Sequence, residues 1–243
     1  MLLNFLNNRF CRGVHNGHPS VRSRVFYLFH RFIKESRNDI PVEIAVNVID
    51  GIRDLLQVHV KIPELENDNP TQQEILDEAA ANPGIFDSQL YLFETVGILL
   101  SVLFKNPEQQ SALLLTIVKP LLDELSINLQ ILTKSSQDVI PIVTVHHVVI
   151  ALGNVVKGFP DYPSPLPEGY ILPCLDVFGQ VAQAILVCLE AMNVFKVVRD
   201  AVSRIVIAFS DDSNSMLLDT ICLCSNFSRY GTQCHSLYSS PNG

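Results

Sequence analysis

This 243-residue sequence predicts an all-α fold, an α-α superhelix of the HEAT or armadillo type built from antiparallel helix pairs. Three observations carry that expectation. Apolar residues recur at helical period along most of the chain, successive periodic segments are joined by short turns, and no polar/apolar alternation flanks an Asn-Gly or Asp-Gly turn as a hairpin would require. The composition agrees. At 48% hydrophobic and 17% charged residues, the chain is rich in core formers and poor in charge, as suits helices with apolar faces meant for neighbours.

The first predicted helix opens at Pro19, where a missing N–H costs nothing. Val21, Val25, Leu28, Phe29, Phe32 and Ile33 fall at offsets 0, 4, 7, 8, 11 and 12, one helical face, with Arg22, Arg24, Arg31, Lys34 and Glu35 on the remainder. Phe29 and Phe32 read as core anchors on that stripe. A second helix follows Pro41, with Ile44, Val48, Ile52 and Leu55 as its stripe. Only Asn38, Asp39 and Ile40 separate the two, which predicts antiparallel packing. A third helix is expected from Phe86 to Leu103. Asn106-Pro107 then reads as an N-cap followed by proline at the first helical position. Leu113, Leu114, Ile117, Val118, Leu121, Leu122 and Leu125 mark the helix after it, with Pro120 expected to kink it. Asp138 is placed to cap a helix reaching about Val156. Gly158 and the proline-rich stretch Pro160 to Pro167 form a loop, and two further helices are predicted at Leu175–Ala191 and Phe195–Phe209.

First helices of successive pairs thus begin near residues 19, 86, 138 and 195, spaced by 67, 52 and 57 residues, against ~40–47 for HEAT and armadillo units. Val21-Arg22 and Val198-Arg199 echo each other 177 residues apart, four units of about 44. The long first spacing is explained by an acidic insertion near residues 60–83. There Glu64, Glu66, Asp68, Glu74, Asp77 and Glu78 stand against Lys61 alone, a net −5. With Pro63, Pro70 and Pro83 it reads as exposed, holding at most a short helix near Gln72 to Ala80. The predicted organisation is a truncated preceding repeat over 1–18, a solenoid of about four helix pairs over 19–224, and a divergent, disordered tail over 225–243.

The formal net charge is −8, whereas a domain that grips a phosphate backbone over its whole surface is usually basic. Any nucleic-acid contact therefore has to come from a local basic face. The six cysteines follow no disulfide framework and read as free, mostly buried thiols. The longest apolar run, Val139 to Val156, carries His146, His147 and Asn154, so no membrane insertion is expected. No phosphate-binding glycine loop, HExxH, G-x-S-x-G or G-x-G-x-x-G occurs. His146 and His147 are adjacent, ~100° apart on a helix, unlike the i, i+4 pair that chelates one metal. Cys222-x-Cys224 with Cys234-His235 matches no standard zinc spacing, and Asp211-Asp212 reads as a turn or helix end. The sequence predicts no enzyme, no catalytic residue, no metal and no cofactor.

Several strings carry a more specific signal. His18-Pro19-Ser20-Val21-Arg22-Ser23-Arg24 is followed by Tyr27-Leu28-Phe29-His30-Arg31-Phe32-Ile33-Lys34. Then come Phe86-Asp87-Ser88-Gln89-Leu90-Tyr91-Leu92-Phe93-Glu94, Gly97, Ala151-Leu152-Gly153 and Gly158-Phe159. In order and spacing these resemble the middle of the exportin-T family, most closely its fungal branch, over roughly Phe10 to Phe209. The resemblance implies an internal piece of a karyopherin-β-like HEAT superhelix. It implies binding of mature tRNA together with the GTP form of the small GTPase Ran, through repeats mostly outside this chain. It further implies contact with nuclear pore proteins and shuttling between nucleus and cytoplasm. A generic HEAT scaffold for protein partners, or another importin-β-type receptor, is the alternative. Double-stranded RNA is read mainly by shape and backbone, which a concave repeat surface can do. The second helix of a HEAT pair usually lines that surface, which nominates Arg53 and Lys119 as RNA-facing. Arg22, Arg24, Arg31 and Arg37, on or beside the first helix, are expected to bridge repeats or face outward.

Overall fold

The structure, a computed structural model, describes residues 11–62, 64–65, 69–135, 138–160 and 174–191. Among them it contains helices and no strand: α1 (Cys11–Val14), α2 (Pro19–Ser36), α3 (Val42–Ile52), α4 (Gln72–Ala81), α5 (Ile85–Val102), α6 (Pro107–Lys134), α7 (Val139–Lys157) and α8 (Leu175–Ala191). Single 3₁₀ turns, Arg37–Asp39 and Arg53–Leu56, finish α2 and α3. The expected helix at 195–209, the Val198-Arg199 echo, the cysteines at 222, 224 and 234 and the tail lie outside the described residues, as do Asp211 and Asp212.

The helices form two layers. Helices α2, α5 and α7 pack in succession as a first layer, and α6 and α8 pack together in a second. The layers interlock because α5 also lies against α3 and α6, and α7 against α6 and α8. First-layer helices therefore start at Pro19, Ile85 and Val139, within a residue of the expected 19, 86 and 138. The two ends of the first pair meet through α5, since α2 and α3 each pack more closely on α5 than on each other.

Burial corrects the predicted face of α2. Phe26, Phe29, His30 and Ile33 are buried, Val25 and Phe32 are partly buried, and Val21 and Leu28 stay 42% and 48% exposed. The apolar residues of α2 span more than one face. The stripe 26, 29, 30, 33 fits the groove on α5, and His30 rather than Leu28 completes it. In α3 the expected Ile44, Val48 and Ile52 are buried, with Ala45 and Ile49 beside them. Helix α7 is covered nearly all round, from Pro141 to Val149 and again from Ala151 to Gly153. By length and composition α5 and α7 could each cross a membrane. Here those apolar surfaces are spent on neighbouring helices, α7 being enclosed by α4, α5, α6 and α8.

The acidic segment is not wholly exposed. Thr71 starts α4 with a capping box: its hydroxyl accepts from Glu74 N at 3.3 Å, and the Glu74 carboxylate accepts from Thr71 N at 2.7 Å. The helix then buries Leu76 and Ala79, which dock it on α7, while Glu74 and Asp77 face water. Two expected caps form differently. Asn106 and Asp138 occupy the N-cap positions of α6 and α7, but neither side chain bonds the first turn. Helix α6 continues through Pro120 to Lys134. Pro120 is exposed, so the carbonyl that loses its ladder bond lies where water can reach it.

One contact fixes the α5–α7 spacing. A Cβ on Gly97 would lie 2.9 Å from Gly158 Cα and 3.1 Å from the Val155 carbonyl carbon. A Cβ on Gly158 would lie 2.6 Å from Gly97 Cα and 2.5 Å from Ile98 N. The two backbones touch, and only glycine on both sides permits it.

Candidate nucleic-acid interface

Arg53 begins the 3₁₀ turn that ends α3, and Lys119 lies midway along α6. Both side chains are solvent-facing, 46% and 66% exposed, and only Lys119 lies on a second-layer helix. Each is held by an acid on its own element. Arg53 Nη2 donates to Asp50 Oδ1 at 2.6 Å, and Lys119 Nζ to Asp123 at 3.2 Å. Exposed pairs of this kind are worth 0–1 kcal/mol, roughly, and exchange readily for another anion. The structure does not join the two residues into one cluster.

Three of the four arginines on or beside α2 fall into the two expected roles. Arg37 bridges, its Nη2 donating to Ser101 Oγ at 2.8 Å across to α5. Arg31 pairs within its own helix, with Glu35 at 3.1 Å, and Arg24 lies 5.6 Å above the Tyr27 ring. Both are exposed.

The strongest polar constellation is one the sequence reading did not single out. Glu94, on α5, is 5% exposed. Its Oε1 lies 3.3 Å from Lys34 Nζ of α2, and its Oε2 lies 3.1 Å from Lys157 Nζ at the end of α7. His30 Nε2 stands 3.6 Å from Oε1, and His30 Nδ1 lies 3.4 Å from Thr95 Oγ1. Burial holds the His30 imidazole below its ordinary value, the Glu94 carboxylate opposing that shift and the two ammonium groups adding to it. Tyr91 packs against both Tyr27 and His30, each with ring centroids 5.4 Å apart. A buried carboxylate is costly unless paired, and this one has a cation on each oxygen. A sequence signal existed, because Glu94 is the one charged residue of α5 beyond its first turn, where Asp87 lies.

Farther along, Gln89 reaches from α5 to the turn after α3, donating to the carbonyls of Leu55 and, at 2.7 Å, Gln57. His147 stacks on Phe86 at 4.0 Å and 11°, and its Nδ1 comes within 3.0 Å of His146 Nδ1. The adjacent histidines thus turn toward each other despite diverging from the helix axis. Burial, then the neighbouring His146, lowers the His147 imidazole to about 3. Among the described residues no group of three or more His, Cys, Asp or Glu is placed to hold a metal.

Parts of the strings quoted from the sequence therefore meet in space. Tyr27, His30 and Lys34 meet Tyr91, Glu94 and Thr95, and Gly97 meets Gly158 one turn beyond. A family model described as Exportin-T matches residues 1–212. The chain belongs to the exportin-T family. It is 61% identical over 190 residues to the Exportin-T of Laccaria bicolor, which covers 78% of this chain and 17% of that protein. It is 52% identical over 191 residues to the Exportin-T of Coprinopsis cinerea, covering 78% and 18%. With the Exportin-T of Mycosarcoma maydis it shares 38% over 192 residues, covering 78% and 17%. The chain thus spans less than a fifth of the length of these exportin-T relatives. Family membership and the two-layer helix stack together make this a HEAT-type all-α superhelix segment.

Proposed function

We propose that this chain is a segment of a nuclear export receptor for tRNA, one that binds tRNA cooperatively with Ran-GTP and passes the nuclear pore by contacting its proteins. The receptor shuttles between nucleus and cytoplasm and performs no chemistry of its own. The family match over residues 1–212 is the observation that carries this reading. The segment's part is architectural and electrostatic: it sets the path of the solenoid through the α2–α5–α7 layer and offers exposed cations at Arg53 and Lys119.

On this reading Arg53 and Lys119 face the RNA. Each would exchange its Asp50 or Asp123 partner for a phosphate oxygen, releasing counterions from the RNA as it does so. The chain's net charge of −8 opposes a polyanion at long range, so tRNA binding depends on the GTPase and on repeats beyond this segment. The test is an Arg53→Gln/Lys119→Gln variant of the complete receptor, titrated with tRNA across a salt series in the presence of Ran-GTP. Two lost phosphate contacts flatten the log–log salt slope by roughly 1.4–1.8. An unchanged slope would remove both residues from the interface without touching the export reading, which a loss of Ran-GTP dependence would test separately.

A further inference from the structure

Glu94 does more than satisfy its neighbours. Its two oxygens are divided between two helices, Oε1 toward Lys34 of α2 and Oε2 toward Lys157 of α7. Helices α2 and α7 each pack on α5 and far less on each other. The carboxylate is 7% exposed while the lysines are 62% and 57% exposed. The anion is therefore fixed in the core, and the cations reach it from the surface. Lys157 makes the one ion pair from α7 to α5 among the described residues. On the α2 side His30 Nε2 also stands 3.6 Å from Glu94 Oε1, and Arg37, just past α2, donates to Ser101 Oγ at 2.8 Å. His30 sits on the same side as Lys34, and burial keeps it from supplying a cation in Lys34's place.

We propose that Glu94 is a shared electrostatic latch that fastens both flanks of α5, so one side chain sets the angle of two successive first-layer packings. In a solenoid each helix contacts only near neighbours, and small rotations accumulate along the stack. A residue that fastens two interfaces at once makes their angles dependent on one charge. The glycine contact at Gly97 and Gly158 fixes the α5–α7 distance, and the latch, one turn away, fixes the rotation about that contact.

Amide hydrogen exchange on the full chain tests this, read at residues 30–36 of α2 and 152–157 of α7, with α8 as the reference. Replacing Glu94 by Gln keeps the shape and removes the charge. Exchange should rise about tenfold at both flanks, the scale of a lost charged hydrogen bond, with α8 unchanged. Lys34→Met should loosen only the α2 stretch and Lys157→Met only the α7 stretch. Should Glu94→Gln fail to fold, the Lys34→Met/Lys157→Met double variant must show both stretches loosened. The proposal fails if Glu94→Gln loosens one flank or neither, if either single lysine change loosens both flanks equally, or if the double variant leaves either flank at the wild-type rate.

Discussion

Replacing Gly97 by alanine perturbs the structure at its tightest point. The added methyl would lie 2.9 Å from Gly158 Cα and 3.1 Å from the Val155 carbonyl carbon, both backbone atoms that cannot rotate aside. Helices α5 and α7 must separate, and the separation is felt by Leu100, Val155 and Val156, all 0–1% exposed. Overpacking of this kind costs typically 1–3 kcal/mol. Alanine returns about 1 kcal/mol through its better helix propensity at a mid-helix position, leaving a net loss of roughly 0–2 kcal/mol, toward the upper end because the atoms it meets are backbone. Gly158 has φ −70° and ψ −17°, so no special backbone conformation complicates its own alanine variant. Once the helices have parted, the second methyl finds room, and the Gly97→Ala/Gly158→Ala pair should cost less than the two changes summed. Gly17, with nothing within 4 Å of an added Cβ, is the control. Urea unfolding followed by circular dichroism measures all four variants. A Gly97→Ala midpoint equal to or above wild type would show that the backbones do not touch, and the packing account of α5 would be wrong.

Three further outcomes follow from burial. Phe29→Ala should destabilise by roughly 3–5 kcal/mol and Leu28→Ala by about 0.5 kcal/mol or less, because Phe29 is 4% exposed and Leu28 48%; equal losses in thermal unfolding would restore the sequence-predicted stripe. His147 is depressed to about 3 from 6.5, so between those values the unfolded chain takes up the proton first and stability falls as pH drops. The loss attributable to His147 reaches about 2 kcal/mol at pH 5 relative to pH 8, and His147→Phe, measured by denaturant unfolding at both pH values, should remove most of it; an unchanged pH dependence in that variant would contradict the assignment. Burial pushes the Cys188 thiol up to about 12, so at pH 7.4 it should resist a thiol reagent until denaturant is added; labelling of the native chain at the rate of an exposed cysteine would place α8 wrongly.

How far the sequence could be read depends on which physical signal each element carries. Helix existence was legible because apolar period and proline placement are local. The starts of α2, α5 and α7 follow from Pro19, the Phe86 string and the residues after Asp138. The face of α2 was not legible, since Val21 and Leu28 fit the helical period as well as Phe26 does. Only the shape of α5 decides between those faces. The burial of Leu76 also needed tertiary context: a short helix in an acidic segment looks like solvent until α7 offers an apolar wall. The T-x-x-E pattern at Thr71 and Glu74 was nevertheless readable as a helix start. Glu94 was visible as the one charge in the apolar body of α5, but its lysines lie 60 and 63 residues away, and no local pattern pairs residues at that distance. Arg53 and Lys119 were nominated from the usual arrangement of HEAT pairs, and their acidic partners Asp50 and Asp123, three and four residues off, were within reach of the helical spacing rule.

On the proposed function, this segment serves a Ran-GTP-dependent tRNA receptor. The direct measurement is tRNA binding by a full-length exportin-T in which these residues replace the matching segment, at physiological salt, with and without Ran-GTP. The chimera should bind mature tRNA tightly only when Ran-GTP is present, while the 243-residue chain alone should bind weakly under both conditions. A chimera that folds and binds Ran-GTP but no longer gains tRNA affinity from it, or an isolated chain that binds tRNA at submicromolar concentration and more tightly with Ran-GTP, would contradict it.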